Sequence, residues 1–279
     1  MYIPLHDFHY FCLPILAQEL SELEYFNVPD FHFEIYDKLQ ENSRLQLITA
    51  PVGFAKSSLL KIFAVYEILV KKNPKFVLYV SSTDKKATEH LGAITKLLAH
   101  KELMILYNYK IISNNNHEII IEFLNTQEQF KVEAVASGSD IAGKNFESIR
   151  PELIVVDDLE DFDQARSIDR TNALEDWLFT ILIARLPSLD TGRIRMINTV
   201  LTLNSITNRI VQAEDDKYKD WDKLFVQALD KNDKSIWEER FPTEALHKER
   251  ELRPLSFFAN YMNEPLDLSE SLIKLEELS

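Results

Sequence analysis

Residues 45 to 57 carry the feature that most restricts how this chain can fold: an apolar strand, a glycine-containing turn and a helix in immediate succession. The segment Leu45–Thr49 is predicted to be a short buried strand, and a helix is predicted from 56 to 72. Between them lies Gly53, one of only five glycines in the chain. A glycine this rare is expected where the backbone needs a positive φ or closely approaches a ligand. This succession predicts an α/β domain.

The turn at 50 to 57 has the spacing of the phosphate-binding loop GxxxxGKS/T, with alanine at both outer glycine positions. In such a loop the backbone N–H groups point at phosphate oxygens, the lysine adds a positive charge and the hydroxyl ligates Mg²⁺. Lys56 is therefore predicted to be catalytic as well as binding, and Ser57 to be a metal ligand. The predicted nucleotide-binding residues of the loop are Pro51, Val52, Gly53, Phe54, Ala55, Lys56, Ser57 and Ser58. The alternative is an ordinary turn with a solvated lysine.

A second apolar run, at 153 to 156, ends in a group of carboxylates. Open α/β sheets bind ligands at the C-terminal ends of their strands, so Asp157 is predicted to hold Mg²⁺, directly or through water. Asp158 is predicted to polarise the attacking water, with Glu160 as the competing residue because glutamate reaches further. The alternative is a solvated acidic turn whose carboxylates cap a helix.

Apolar runs and helical periods alternate along the rest of the chain. A strand is predicted at Phe76–Ser81, followed by a helix at 84 to 100 with Asp84 as its cap. The other predicted elements are a hairpin of strands at 117 to 124 and 129 to 136, helices at 168 to 185 and 204 to 213, and a strand at 194 to 198. This order predicts a central, mainly parallel sheet flanked by helices.

Composition narrows the classes of function. The net charge of −14 means that the surface as a whole repels polyanions, which argues against a simple DNA-binding module. Cys12 is the only cysteine, which excludes an internal disulfide and any zinc site built from several thiolates. The longest strongly apolar stretch, 59 to 70, contains Lys61 and Glu67 and is shorter than the roughly 20 residues that cross a bilayer. No membrane span is predicted.

Several motifs together resemble the large terminase subunit of tailed double-stranded DNA phages. They are APVGFAKS at 50 to 57, GSDIAGK at 138 to 144, RPELIVVDDLED at 150 to 161, Trp177, Ile197-Asn198-Thr199, and FANYMNEP at 258 to 265. Each motif is weak alone, but their order and spacing are specific. The similarity covers roughly residues 30 to 267.

This resemblance implies an additional-strand P-loop ATPase that hydrolyses ATP with Mg²⁺ to drive double-stranded DNA into a procapsid. In the family scheme, Asn198 and Thr199 correspond to the coupling motif that senses the γ-phosphate; the alternative is a plain strand-end turn. The implied partners are DNA, the portal of the procapsid, the small terminase subunit and further copies of the chain in a ring. The implied location is the host cytoplasm, transiently on the portal and not in the mature virion.

The resemblance also implies a domain division. Residues 1–235 correspond to the ATPase domain with an N-terminal helical extension, and residues 236–279 correspond to a small C-terminal helical lid or linker segment. The nuclease domain that follows in the family is expected to be absent, through trimming of the chain or a split gene.

Some positions leave roles open. Many family members carry arginine where Val52 stands and a basic residue where Ala142 stands, so a neighbouring subunit is expected to supply an arginine. The arginines considered for this role, each alternatively a surface ion-pair partner, are Arg150, Arg166, Arg170 and Arg185.

Phe33 or Tyr36 corresponds to an adenine-contacting segment, with core packing as the favoured alternative. Lys85 and Lys86 open a predicted helix, where they either touch a phosphate backbone or are solvated.

Two other classes of function remain as alternatives. A helicase-like motor would need a second motor lobe, for which the remaining residues leave little room. A non-catalytic scaffolding protein with a degenerate phosphate loop would explain the two missing glycines.

Overall fold

A central sheet of eight strands organises the chain. The computed structural model describes residues 28–213 and 215–266. The strands are β1 Leu45–Thr49, β2 Phe76–Ser81, β3 Tyr109–Asn114, β4 Glu118–Phe123, β5 Gln129–Ala136, β6 Leu153–Asp157, β7 Arg193–Asn198 and β8 Trp221–Phe225. They lie in the order β3-β4-β5-β2-β6-β7-β1-β8. The pairings of β3 with β4 and of β4 with β5 are antiparallel and the other five are parallel, so the predicted α/β fold with a mainly parallel sheet is confirmed.

Helices cover both faces of this sheet. They are α1 Asp30–Gln40, α2 Lys56–Tyr66, α3 Asp84–Leu98, α4 Lys101–Tyr107, α5 Phe162–Ala165, α6 Ile168–Asp176, α7 Ile206–Gln212, α8 Thr243–Leu252 and α9 Pro254–Asn260. A π-helical turn, Glu67–Lys71, extends α2, and a second one, Trp177–Leu182, extends α6. No helix in the two described ranges is long and apolar enough to cross a membrane.

The central strands are buried on both faces, as expected where crossover helices lie above and below a parallel sheet. Along β6, Leu153 and Val155 join a core cluster that includes helices α1 and α2, whereas Ile154 and Val156 join the cluster on the opposite face. This alternation follows from the two-residue period of a strand. The end of β6 is therefore fixed by packing from both sides, which holds Asp157 in a defined position.

A buried arginine joins the sheet to the first helix. Arg195, in β7, is fully buried, and its guanidinium donates to the carbonyl oxygens of Leu39 (3.0 Å), Glu41 (2.7 Å) and Ser43 (2.8 Å). The last carbonyls of a helix have no partner within the helix, so these bonds satisfy groups that would otherwise be unpaired. They fix the end of α1 directly before β1 and the phosphate loop.

Several predictions of local structure need correction. The cap of α3 is Thr83, whose Oγ1 accepts from the N–H of Lys86, and Asp84 is instead the first helical residue. The predicted helix at 168 to 185 changes to a π-helical turn at Trp177–Leu182. The sequence pattern does not predict strands β3 and β8. Cys12 and the first 27 residues of the N-terminal extension lie outside the described residues.

The residues after 235 pack on the same core as the phosphate-loop helix. Trp237, Leu246 and Phe257 belong to the hydrophobic cluster that contains Leu59 and Phe63 of α2. The division into domains at 235 and 236 stays a prediction.

Candidate nucleotide-binding site

Three neighbouring strands bring the predicted motifs to one edge of the sheet. Strand β7 lies between β1, which leads into the phosphate loop, and β6, which ends in Asp157. Thr49 pairs with Asn198 and Asp157 pairs with Ile197, so the three strands end at the same level. The C-terminal ends of parallel strands are where open α/β sheets bind ligands. This inserted strand is the one that the predicted additional-strand fold requires.

A cleft of about 450 Å³ opens at this edge. Its walls come from the phosphate loop, the acidic end of β6, the segment after β7, the first turn of α3 and the C-terminal part of the chain. The lining residues are Val52, Gly53, Ala55, Lys56, Ser57, Ser58, Lys86, Asp158, Glu160, Asp161, Phe162, Thr199, Leu201 and Arg240.

Two residues in the left-handed region give the phosphate loop its tight turn. Gly53 has φ +81°, and Ala55, which directly precedes α2, has φ +60°. A Cβ atom at Gly53 would lie 2.9 Å from Cζ of Phe241, so both the backbone conformation and the close approach require glycine. At Ala55 the left-handed conformation costs roughly 1–2 kcal/mol for a residue other than glycine. The loop thus keeps its turn although both outer glycines are replaced.

Lys56 lies among the loop, the segment after β7 and the acidic strand end. Its Nζ donates to the carbonyl oxygen of Pro51 (3.1 Å) and to Oγ1 of Thr199 (2.6 Å). Burial lowers the pKa of Lys56, while the carboxylates of Asp158 and Asp157 act in the opposite direction. The nearby acids therefore favour a charged ammonium at the point where the three segments meet.

Ser57 and Asp157 form a pair suited to a magnesium ion. Ser57 Oγ donates to Asp157 Oδ1 (2.9 Å), and the aspartate is fully buried. Mg²⁺ prefers oxygen ligands and usually takes only one or two carboxylates, completing its shell with water and substrate phosphates. A hydroxyl next to a carboxylate fits this requirement. Among the described residues, no group of three or more His, Cys, Asp and Glu side chains is placed to hold a metal.

The second carboxylate oxygen of Asp157 is held by residues behind the cleft. Tyr79, in β2, donates its hydroxyl to Asp157 Oδ2 (2.8 Å), and His90 Nε2 in α3 lies 3.4 Å from the same atom. Burial and the neighbouring carboxylate raise the pKa of Tyr79 well above its usual value, so the phenol stays protonated and remains a donor. Tyr79 therefore orients Asp157 with its first oxygen towards Ser57.

The two carboxylates considered for water activation both line the cleft. Asp158 has φ +55°, and burial raises its pKa while Lys56 acts against that rise. Burial raises the pKa of Glu160 to about 7, against bonds from the N–H groups of Thr207 and Ile206. Its Oε1 accepts from Thr207 at 3.4 Å, and its Oε2 is buried without a hydrogen-bond partner in the described ranges. Both residues remain suitable by position.

Asn198 and Thr199 face different sides of the strand end. Thr199 lines the cleft, and its Oγ1 donates to the carbonyl of Ala50 (3.1 Å). Asn198 is buried behind it: its Oδ1 accepts from the N–H of Leu159 (3.2 Å) and its Nδ2 donates to Thr207 Oγ1 (2.8 Å). The pair therefore connects the phosphate loop to the acidic strand end and to helix α7.

The C-terminal segment closes the site from the side of the phosphate loop. The N–H of Val52 donates to the carbonyl of Asn260 (2.9 Å). The buried Asn263 accepts from the N–H of Val200 (2.9 Å) and donates to the carbonyl of Val226 (2.8 Å). Residues 260 to 263 thus fasten the loop, the segment after β7 and the segment after β8 to one another.

Solved structures of phage large terminases share this architecture. The ATPase domain of the large terminase of Thermus phage P74-26 superposes with a TM-score of 0.62 at 12% identity, over 86% of this chain and 95% of that domain. The chain has the fold of large-terminase ATPase domains. The large terminase of bacteriophage HK97 gives a TM-score of 0.56 at 12% identity over 86% of this chain. A large terminase from another thermophilic bacteriophage gives a TM-score of 0.53 at 6% sequence identity over 85% of this chain.

The similarity spans only part of the two longer relatives, 51% of the HK97 chain and 53% of the chain from the other thermophilic phage. A scan against protein-family models and a search of curated proteins each found no match. The predicted fold, a mainly parallel α/β sheet with an additional strand between β1 and β6, is therefore confirmed by structure rather than by sequence similarity.

Within this terminase fold, most of the predicted site residues meet at the cleft. Those that line it are Val52, Gly53, Ala55, Lys56, Ser57, Ser58, Asp158, Glu160 and Thr199. Pro51, Phe54, Asn198 and Asp157 lie behind the lining, where they support it. Phe54 contributes only its backbone towards the loop, because its ring packs in the core against Phe241 at 4.7 Å.

The residues considered for adenine contact and for the arginine finger do not line the cleft. Tyr36 is fully buried, Phe33 packs against the same core cluster, and neither lines the cleft, which agrees with the core-packing alternative. None of the four arginines considered as fingers lines the cleft: for example, Arg150 donates to the carbonyl of Ala184 and Arg185 to that of Ile141. Their contribution to a neighbouring subunit stays a prediction.

Sequence reasoning missed Arg240, Phe162, Asp161 and Leu201 as lining residues, and left Lys86 undecided. Asp161 and Phe162 directly follow the acidic motif, so proximity in sequence was an available signal. No signal in the sequence indicates Arg240, because its position depends on its packing against Trp237 and Phe241.

Proposed function

We propose that this chain is the ATP-hydrolysing motor domain of a phage large terminase, which drives double-stranded DNA into a procapsid. The observation that carries the proposal is the convergence of two pairs at one cleft: Lys56 with Thr199, and Ser57 with Asp157. The shared fold of the P74-26 domain supports the same assignment.

The proposed reaction is the hydrolysis of ATP. The oxygen of a water molecule bonds to the γ-phosphorus while the bond from that phosphorus to the β–γ bridging oxygen breaks, giving ADP and inorganic phosphate. Lys56 stabilises the negative charge of the transferred group. Ser57 and Asp157 would hold Mg²⁺, which when bound neutralises charge on the phosphate oxygens.

The proton released by the water passes to Asp158 or Glu160. A general base works best when its pKa is near the working pH, and a pKa of about 7 gives Glu160 that property. The charge of Lys56 acts on Asp158 to lower its pKa, which favours the ionised carboxylate. Two variants distinguish these residues, Asp158→Asn and Glu160→Gln. The catalytic carboxylate is the one whose replacement abolishes ATP turnover while MgATP still binds.

Coupling to motion is proposed to pass through the end of β7. Thr199 contacts Lys56 in the cleft, and the adjacent Asn198 bonds to helix α7 through Thr207. A change at the γ-phosphate that moves Thr199 would therefore reach α7 through a short chain of hydrogen bonds. DNA, the portal of the procapsid, the small terminase subunit and further copies in a ring are the proposed partners. The proposed location is the host cytoplasm, transiently on the portal and not in the mature virion.

The test is steady-state ATP turnover by the purified chain, alone and with portal and double-stranded DNA. Lys56→Ala is expected to abolish turnover, whereas Lys96→Ala, which removes an exposed lysine of α3 far from the cleft lining, is expected to leave it unchanged. Stimulation by portal-bearing procapsids supports the packaging motor. Strand separation without such stimulation favours the helicase-like alternative, and absence of turnover in every condition favours a scaffolding protein.

A further inference from the structure

The segment 237 to 241 lies directly against the phosphate loop. The ring of Phe241 stacks on that of Phe54 at 4.7 Å with an interplanar angle of 11°, and Trp237 lies 5.7 Å from the same Phe54 ring. Phe241 also approaches Gly53 so closely that no side chain fits between them. The loop and this segment are therefore parts of one packed unit, although they are far apart in sequence.

Arg240 extends from this aromatic unit into the lining of the cleft, to which Val52 and Gly53 of the phosphate loop also contribute. Its guanidinium lies 5.1 Å from the ring centre of Trp237 and 5.6 Å from that of Phe241. Arginine packed on aromatic faces keeps its planar group in place, and that planar group has a geometry that matches phosphate oxygens. A preorganised cation of this kind loses little conformational freedom when it binds an anion.

The charges of the cleft show why a further cation matters. Its cationic lining residues are Lys56, Lys86 and Arg240, and its carboxylates are Asp158, Glu160 and Asp161. Without Arg240, two cations would face three carboxylates around an anionic nucleotide. Removing Arg240 would therefore make the lining more negative and weaken its attraction for an anionic nucleotide, even with a bound Mg²⁺ that offsets part of that charge.

We propose that Arg240 binds the phosphate groups of the nucleotide in cis, from the C-terminal segment of the same chain. This inference rests on the proposed ATPase function and adds to it a phosphate contact from outside the phosphate loop. The contact also makes the C-terminal segment part of the binding site, because Arg240, Phe241 and the carbonyl of Asn260 approach the loop together.

The experiment measures the dissociation constant of MgADP by isothermal titration calorimetry for the complete chain. Arg240→Gln is expected to raise it about 10- to 100-fold, the range for losing a charge-assisted hydrogen bond. Arg240→Lys, which keeps the charge but loses the planar fork, is expected to show a smaller loss. The matched control is Arg253→Gln, which removes an exposed arginine of the same C-terminal segment and is expected to leave binding within about twofold of wild type.

Thermal unfolding is recorded for each variant. If Arg240→Gln does not fold, Arg240→Met replaces it, because the apolar stem can still pack on the rings of Trp237 and Phe241. The role of Arg240 is overturned if folded Arg240→Gln binds MgADP within about twofold of wild type while Lys56→Ala loses binding. That result leaves the ATPase proposal intact. Failure of the wild type to bind MgADP overturns both proposals.

Discussion

Replacing Tyr79 with phenylalanine tests whether Asp157 is held in place from behind the cleft. The substitution removes one hydroxyl, which donates to Asp157 Oδ2 at 2.8 Å, and keeps a ring that is fully buried. Ser57 still donates to the other carboxylate oxygen, at 2.9 Å. The change therefore isolates one hydrogen bond to a buried charged group.

The expected loss of stability follows from that bond. A hydrogen bond to a charged group contributes about 1.5–3 kcal/mol, so the free energy of unfolding should fall by that amount. For a domain of this size the midpoint of thermal unfolding should then fall by roughly 3–12 °C. Partners that orient a metal ligand typically change affinity or activity about 10- to 100-fold, so the Mg²⁺ concentration for half-maximal turnover should rise by about tenfold or more.

Tyr109→Phe is the matched control. Tyr109 is also buried, but its hydroxyl donates to the neutral carbonyl oxygen of Leu98 at 2.7 Å, away from the cleft. It should cost about 0.5–1.5 kcal/mol and leave the Mg²⁺ dependence of turnover unchanged. Urea unfolding and a magnesium titration of ATPase rate measure both quantities. If Tyr79→Phe costs no more than Tyr109→Phe and leaves the titration unchanged, Tyr79 does not position Asp157.

Three further substitutions probe the site. Burial raises the pKa of Glu160 from 4.5 to about 7, so its ionisation opposes folding; this cost is absent below about pH 4.5 and grows as pH rises through 7. Glu160→Gln should therefore be as stable as wild type at pH 4 and more stable by up to about 3 kcal/mol at pH 8, and a difference independent of pH would contradict this. Asn263→Ala should cost about 2–4 kcal/mol in urea unfolding, because two buried main-chain groups lose their partner, whereas Asn260→Ala, which removes only an exposed hydrogen bond to Ser256, should cost under about 1 kcal/mol. Similar costs at the two asparagines would refute that role. Gly53→Ala should cost more than about 1 kcal/mol and impair turnover, whereas Gly92→Ala, in a helix with open space around it, should stabilise by roughly 0.5–1 kcal/mol; a neutral Gly53→Ala would contradict the strained geometry.

The features that could be predicted from the sequence are those encoded locally. The phosphate loop and the end of β6 each combine an apolar strand with functional residues a few positions away. The strand Leu45–Thr49 and the strand Phe76–Ser81 have the predicted bounds. Such segments are recognisable because burial on both faces leaves a continuous apolar run.

Other features depend on contacts between distant segments. Strand β8 carries Asp222 and Lys223 in its centre and shows no strand pattern, and it is defined by pairing with β1. Helix α4 has no buried residue, so it offers no apolar stripe to detect. The cap of α3 differs because Thr83 and Asp84 are adjacent residues that both favour capping, and only the backbone conformation distinguishes them.

The position of Arg240 cannot be predicted from the sequence, because it too depends on contacts between distant segments. Its side chain reaches the cleft because the neighbouring Phe241 stacks on Phe54. These two segments are in contact but lie far apart in the sequence. No periodicity or motif near 240 indicates this packing. A chemical role that is created by tertiary packing leaves no local pattern.

The most direct test of the central claim is the dissociation constant of ATP with and without Mg²⁺, for the wild type, Lys56→Ala and Ser57→Ala. If the phosphate loop and the end of β6 form one magnesium–nucleotide site, the wild type binds ATP more tightly with Mg²⁺. Ser57→Ala should then lose most of that magnesium effect, and Lys56→Ala should bind weakly in both conditions. Binding by the wild type that neither Mg²⁺ nor Lys56→Ala alters would contradict the account, as would no binding at all.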